Sequence, residues 1–386
     1  MTAAVAALWL SACGGGGGDD VAAAPNPPLG GAPAPAPAPA PAAAVGVNWT
    51  APGPVDVWHS LSSSDDGQVM VAGQAQAADI PASLLSLSTD GGQTWTNPAG
   101  LPGAIWIASD VSGTGDRIVA VNLAGGMFIS NDRGATFAAV PLPAGVVAPA
   151  FEGVTLSQDG TRVAAVSMDG PVLAGTIDAA GAVTWLTPTG LPAVATGWRS
   201  IDSSNNGQVM VAVGQDPAAF ISTNGGATWA ALPVAVGTPP AAVVNQNWYR
   251  VKVSGDGNTI VMAANAFGGN SGDGIYVSKD QGATFTLAHT LTADYTGIAM
   301  SADGGVIAVT HSSNTAADAG AGQILLSSNG GTTFAPLAVS VGGTAEPDAY
   351  WRTVTMSADA TRLAAAKGRF DTNVSGPIFL STGSRP

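Results

Sequence analysis

Ser88-Thr89-Asp90-Gly91-Gly92-Gln93-Thr94-Trp95 reads as the end of a strand, a tight turn and a restart led by an aromatic. Ser and Asp side chains hydrogen-bond to a turn's own backbone, Gly takes a conformation that a Cβ resists, and Trp packs between neighbouring sheets. One such octet carries little weight, but four more stand in phase along the chain. Ser130 to Phe137 contains Asp132 and Gly134, and Ser278 to Phe285 contains Asp280 and Gly282. Ser222 to Trp229 and Ser327 to Phe334 have Asn224 and Asn329 in the Asp place. A degenerate copy keeps Asp178, Gly181, Thr184 and Trp185 with altered spacing.

Outward from each octet lies an earlier half-repeat: an aromatic-led strand, a polar Gly turn and an apolar strand. Trp58-His59-Ser60 runs through Gly67 to Val69-Met70-Val71-Ala72, and counterparts begin at Trp106, Phe151, Trp198, Tyr249, Tyr295 and Trp351. The second strands that follow are Ile118 to Val121, Val163 to Val166, Val209 to Val213, Ile260 to Ala263, Val306 to Val309 and Leu363 to Ala366. A spacing of about 45 to 56 residues is that of a four-strand blade. The expected fold is therefore all-β, a seven-bladed β-propeller of four-stranded antiparallel blades over residues 46–386. The last copy has a third strand, Pro377 to Ser381, but no aromatic strand after Thr382-Gly383. Val47-Asn48-Trp49-Thr50 supplies the missing piece, so an N-terminal strand is expected to complete the last blade and leave no open edge.

The octets resemble the Asp-box, or BNR, repeats of sialidase-like, xyloglucanase-like and, more remotely, photosystem-assembly propellers. In those families the box lies on the outer edge. The resemblance therefore implies structural roles for Asp90, Trp95, Asp132, Phe137, Asn224, Trp229, Asp280, Phe285, Asn329 and Phe334. Sialidases act through three arginines, a Tyr-Glu nucleophile pair and an acidic acid/base residue. Here no Phe-Arg-Ile-Pro segment precedes the first box, and the only glutamates are Glu152 and Glu346. The resemblance covers the repeats and assigns no catalytic residue.

Composition agrees with strands and turns: 52 Gly and 27 Pro punctuate apolar runs too short for ordinary helices. With 26 acidic against 12 basic residues, the net charge of −14 argues against nucleic acid as a partner. The single cysteine, Cys13, lies before the repeats, so the folded part has no disulfide, thiolate metal site or catalytic thiol. His59, His289 and His311 lack zinc spacing, and Asp65-Asp66-Gly67 and Gly255-Asp256-Gly257-Asn258 lack the alternation of a calcium loop and read as capped turns. Gly269-Asn270-Ser271-Gly272 reads as a hairpin loop, and there is no phosphate-binding loop. No metal and no cofactor are expected.

Ahead of the repeats, Ala3 to Leu10 form an apolar run ending in Leu10-Ser11-Ala12-Cys13, which resembles a bacterial lipoprotein lipobox, although no Lys or Arg precedes the run. Residues 1–13 are read as the signal segment with Cys13 as the lipidated residue, and residues 14–45, rich in Gly, Ala and Pro, as a disordered tether. That predicts an exported, monomeric protein of the cell envelope, held to the outer membrane through its lipid.

In propellers the inner strand begins at one face beside the central channel. Here that place carries an aromatic and then a polar residue: Trp58-His59, Phe151-Glu152, Trp198-Arg199, Tyr249-Arg250 and Trp351-Arg352, with Trp106 and Tyr295 lacking a charged neighbour. Three of nine arginines thus stand in register in an acidic chain. Such arginines suit a carboxylate, which they grip bidentately, and the aromatics suit sugar faces. The plainer alternative is that the aromatics wedge between blades while the arginines pair with Asp or carbonyls. The function expected is non-enzymatic binding or scaffolding of a glycan, an anionic ligand or a protein. The alternative is an exo-acting glycoside hydrolase of sialidase or xyloglucanase type.

Overall fold

The computed structural model describes residues 43–75, 84–192, 197–215, 219–236, 241–242, 247–265, 274–291, 293–312, 322–347, 350–369 and 374–386. The signal segment with Cys13, nearly all of the tether and the Gly269–Gly272 stretch lie outside these residues. There is no helix among the described residues, and antiparallel sheets form seven blades around one axis. The inner strands are Trp58–Ser63, Trp106–Val111, Phe151–Leu156, Trp198–Ser203, Asn247–Val253, Asp294–Met300 and Trp351–Met356. Each packs beside the next, and the last packs beside the first.

One repeat of physics builds every blade. The leading aromatic points between blades, so each inter-blade core cluster holds one: Trp58, Trp106, Phe151, Trp198, Trp248, Tyr295 and Trp351. All are 4% exposed or less. Four of the indoles meet a third-strand ring edge-on, as Trp248 does Tyr276 at 5.1 Å and Trp351 does Phe379 at 5.2 Å. The second strands are continuously buried because a neighbouring blade covers each face.

Six residues after the aromatic, every inner strand ends on a buried serine: Ser64, Ser112, Ser157, Ser204, Ser254, Ser301 and Ser357. Its hydroxyl accepts the N–H that opens the second strand, as Ser157 does from Arg162 at 2.9 Å, and in six blades donates to an Asp or Asn two residues on. The residue after each serine then joins the blades. Asp65 N–H donates to Gly113 C=O, Gly113 to Gln158, Gln158 to Asn205, Asn205 to Gly255, Gly255 to Ala302, Ala302 to Ala358, and Ala358 back to Asp65, all between 2.7 and 3.0 Å. This closed circle of peptide groups, the hub, ties the ring together at the end of the channel opposite the inner-strand starts.

The outer turns form as their side chains dictate. Ser88 Oγ donates to Asp90 and accepts Gly92 N–H, while Asp90 accepts the backbone and hydroxyl of Thr94. The bonds from Thr94 do most to pull the exposed Asp90 carboxyl down to about 2. Asp132, Asn224, Asp280 and Asn329 repeat the arrangement on the same exposed edge. Trp95, Phe137 and Phe334 are half-buried against the adjoining blades, and Trp229 and Phe285 are buried.

The ring closes as its two ends predict. Trp49 pairs with Ser381 and Thr50 with Leu380, so an N-terminal strand completes the last blade. Val45 N–H donates to Ser384 C=O, and Trp49, 4% exposed, packs in the cluster of Trp351 and Phe379. A hairpin, Ser340–Val341 with Thr344–Ala345, extends that sheet further. In the first blade the fourth position is reduced to a single bridge, Leu87 to Thr96.

Candidate functional site

All seven inner strands share an irregularity that residue identity does not announce. Immediately after the aromatic, one extra residue interrupts the pairing: Trp58 opposes Gln74 and Ser60 opposes Gly73, with His59 bulged between them. The bulged residues around the ring are His59, Ile107, Glu152, Arg199, Tyr249, Thr296 and Arg352. A bulge re-aims its side chain. Aromatic and neighbour therefore part company, one entering the core and the other gathering at the channel mouth.

This corrects two expectations. Trp58, Trp106, Trp198, Tyr295 and Trp351 are sealed between blades, and none offers an open ring face for a sugar. Trp58 Nε1 donates to Gly376 C=O at 2.9 Å, the Tyr295 hydroxyl to Leu291 C=O at 2.8 Å, and Lys367 lies over the Trp351 ring at 4.8 Å. The second correction concerns blade five, where Trp248 and not Tyr249 is the wedge. Tyr249 takes the bulge, and Arg250 falls one residue out of register with Arg199 and Arg352. Counting back six residues from Ser254 finds Trp248, the spacing that holds in the other six blades.

The mouth collects cations around one phenol and one carboxylate. The Arg250 guanidinium lies 4.2 Å from the Tyr249 ring centre and that of Arg199 5.9 Å. Arg250 Nε donates to Thr296 C=O at 2.7 Å and Nη1 to Tyr249 C=O at 2.9 Å, which leaves Nη2 uncommitted among the described residues. Arg199 Nη1 reaches Glu152 at a long 3.4 Å, and its buried Nε has no partner among the described residues. Arg352 Nη2 bonds to His59 Nε2, while His59 Nδ1 lies 2.9 Å from Ile107 C=O. That pairing fixes the tautomer: Nδ1 carries the proton and Nε2 accepts from Arg352.

These groups act on one another. Burial first, and then Arg352 and Arg250, hold His59 well below its ordinary value, so the imidazole is neutral. Burial raises Glu152 even against the pull of all three arginines. Burial also works to raise the Tyr249 phenol, but Arg352 and Arg250, helped by Arg199, bring it below its ordinary value. Arg250 is lowered, chiefly by burial and further by Arg352 and Arg199. Three guanidiniums against one carboxylate leave two positive charges in excess.

A deeper layer was not signalled by the repeat. Four residues after the aromatic stand Ser62, Asp110, Thr155, Asp202, Lys252, Ala299 and Thr355. Lys252 Nζ pairs with Asp202 at 2.8 Å, and Asp202 also accepts Val253 N–H at 2.6 Å. Asp110 accepts Leu156 N–H at 2.7 Å from the next blade. Burial, opposed by Lys252 and reinforced by Asp202, pushes Asp110 up to about 6. Hydroxyl pairs complete the belt: Ser62 with Ser109, Thr155 with Ser203, and Ser63 with Thr355, at 2.9 to 3.0 Å. One cavity of about 210 Å³ runs from His59, Glu152 and Arg250 past Asp110 and Lys252 to the hub. No group of three or more His, Cys, Asp or Glu side chains among the described residues is arranged to hold a metal ion.

No protein-family model matches the chain, and no curated protein does. Among solved structures it is similar to YCF48 bound to D1 peptide, at 15% identity and a TM-score of 0.56, covering 87% of this chain and 97% of that one. It is also similar to the β-propeller domain of Cps50 (Swd1) from Myceliophteria thermophila, at 10% identity and a TM-score of 0.54, covering 85% of this chain and 99% of that one. At these identities the likeness is one of fold.

Proposed function

We propose that this propeller is a binding module whose channel mouth grips a carboxylate, or a similar anionic group, on a peptide or glycan partner. The observation that carries the reading is the gathering of Arg199, Arg250 and Arg352 from three blades, the first two beside the Tyr249 ring and the third on His59, with Glu152 as the carboxylate that pairs with Arg199. A guanidinium presents a planar fork of donors, and in a site screened from water a charge-assisted pair is worth about twice a neutral hydrogen bond. The excess positive charge in a chain of net charge −14 is what an anionic ligand would neutralise. A protein partner is supported by the fold shared with a propeller solved with a bound peptide. Glycoside hydrolysis of the xyloglucanase type needs two carboxyl groups flanking the bond, and the sialidase type needs a further acidic acid/base residue beside its Tyr-Glu pair. In the arginine layer Glu152 is the carboxylate among the described residues, and Asp110 and Asp202 lie deeper along their strands.

Binding to arrays of acidic peptides and of sialylated or uronic glycans tests this. Arg199→Ala, Arg250→Ala and Arg352→Ala should each lower capture about ten-fold or more, the loss expected of a charge-assisted bond. Undiminished capture in all three sinks the reading, and free sugar released from the glycans favours the hydrolase. The lipobox-like Leu10-Ser11-Ala12-Cys13 supports an envelope-membrane address for the module, through a lipidated Cys13. Incorporation of a palmitate analogue should be lost in Cys13→Ala, and equal labelling of the two chains refutes the anchor.

A further inference from the structure

The channel is charged in two layers of opposite sign. At the mouth, Arg199, Arg250 and Arg352 outnumber Glu152, and His59 is neutral. Deeper, Asp110 and Asp202 outnumber Lys252, leaving one negative charge in excess. The ion pair in that layer is Lys252 with Asp202. Asp110 accepts the N–H groups of Leu156 and Val111 and has no cation in contact among the described residues. Burial raises Glu152 and Asp110, and within each layer the charges act on one another: the arginines pull Glu152 and Tyr249 down, while Lys252 pulls Asp110 down and Asp202 pushes it up. The bulged residues and Asp110 stand about two or three residues apart along their strands, roughly 7–10 Å at a strand rise of 3.3 Å.

Arg250, Glu152 and His59 of the mouth layer line the same cavity as Asp110, Asp202 and Lys252. At its far end the hub peptides bond to one another, and Asp65 and Gln158 fill the space that a side chain at Gly113 would take. A ligand entering from the mouth therefore meets the arginines first and the uncompensated carboxylate last.

We infer that the channel takes a ligand with charges at both ends: a carboxylate held by the mouth arginines and a primary ammonium, on a flexible apolar stem, reaching Asp110. An ω-amino acid has this form, and so does a peptide ending in lysine, whose α-carboxylate stays at the rim while its side chain enters. The inference rests on the carboxylate reading of the mouth and adds the group that the deeper layer selects. The Ser and Thr hydroxyls beside Asp110 in the deeper layer give the ammonium further acceptors. Lys252, already committed to Asp202, closes that carboxylate to a second cation.

Calorimetric titration of the full chain at pH 7.5 with ε-aminocaproate, caproate and hexylamine separates the two layers. ε-Aminocaproate should bind at least about ten-fold more tightly than caproate, the ratio one charge-assisted hydrogen bond supplies. Asp110→Asn keeps the oxygen that accepts Leu156 N–H, removes the charge, and should erase the preference without weakening caproate binding. Binding of ε-aminocaproate alone supports the inference more strongly still, because both charges are then required. Equal affinity for ε-aminocaproate and caproate in the native chain overturns the inference and spares the mouth. A preference that survives in Asp110→Asn, with a native-like thermal transition, overturns it as well. Binding of neither compound overturns both readings, and binding of hexylamine alone overturns the mouth and keeps only a cation site.

Discussion

The two ends of the inner strands obey opposite rules. At the hub all seven finish on a buried serine, and the next residue passes its N–H to the neighbouring blade. At the mouth the bulged residue is His59, Ile107, Glu152, Arg199, Tyr249, Thr296 and Arg352 in turn. Every blade performs the same task at the hub, so one solution recurs. At the mouth seven blades contribute to one site, and a ring of identical charges would repel itself. Repetition thus marks what holds the ring together, and departure from repetition marks where it meets something else.

The largest effect that tests this contrast is expected at the hub turns. Gly115 has φ +78°, and a Cβ there would lie 2.5 Å from Val69 Cγ2, on a side chain that is fully buried. Left-handed backbone costs a non-glycine residue about 1–2 kcal/mol. Forcing a methyl group into a packed core costs about 1–3 kcal/mol more. Gly115→Ala should therefore lose about 2–5 kcal/mol in denaturant unfolding. Gly100→Ala, with φ +84° but nothing within 4 Å, should show only the conformational part. Equal losses at the two positions would mean that turn packing does not fasten the blades.

That division also explains what could be read before the fold was seen. Periodic features were legible because each recurs: the inter-blade aromatics, the apolar second strands, the outer Ser-Asp turns, and the aromatic strand missing from the last copy and present at Trp49. The bulge was not, because it is an irregularity of backbone pairing shared by seven side chains of six kinds. Asn247-Trp248-Tyr249-Arg250 offers two adjacent aromatics, and only the fixed distance to Ser254 decides between them. Asp110, Asp202 and Lys252 stood at equivalent places but repeat no common type, so nothing drew them together until the strands stood side by side.

Asp110 lies between the two ends and is predicted to share the character of the mouth, with stability given up for charge. Its carboxyl is raised to about 6 from an ordinary 3.8, so the folded state binds a proton more tightly than the unfolded state. The stability this contributes is full below about pH 4 and lost as pH rises through 6. The fully ionised buried carboxylate costs about 3 kcal/mol relative to the protonated form, of which about 2 kcal/mol falls between pH 4.5 and pH 7.5. Asp110→Asn should therefore gain on the native chain by about that amount between pH 4.5 and pH 7.5, measured as the difference between two unfolding curves. A difference that stays flat with pH would make Asp110 an ordinary blade staple and shift it to the hub side of the contrast.

The smallest effect on stability is expected at the mouth itself, with Arg352→Ala. Removing this guanidinium leaves His59 Nε2 without its donor, which costs about 1 kcal/mol if no water replaces it. The same change relieves Arg250, whose charge Arg352 opposes, and His59, whose protonation Arg352 also opposes. The two contributions run in opposite directions, so the net change should stay within about 1 kcal/mol while carboxylate capture is lost. His59 should titrate at a higher pH than in the native chain, by NMR, and still below an exposed imidazole because its burial is unchanged. A loss above about 2 kcal/mol would show that the arginines brace the ring as the hub serines do. The difference between the two ends would then be one of residue choice alone, because a site kept for binding is one whose side chains the fold tolerates losing.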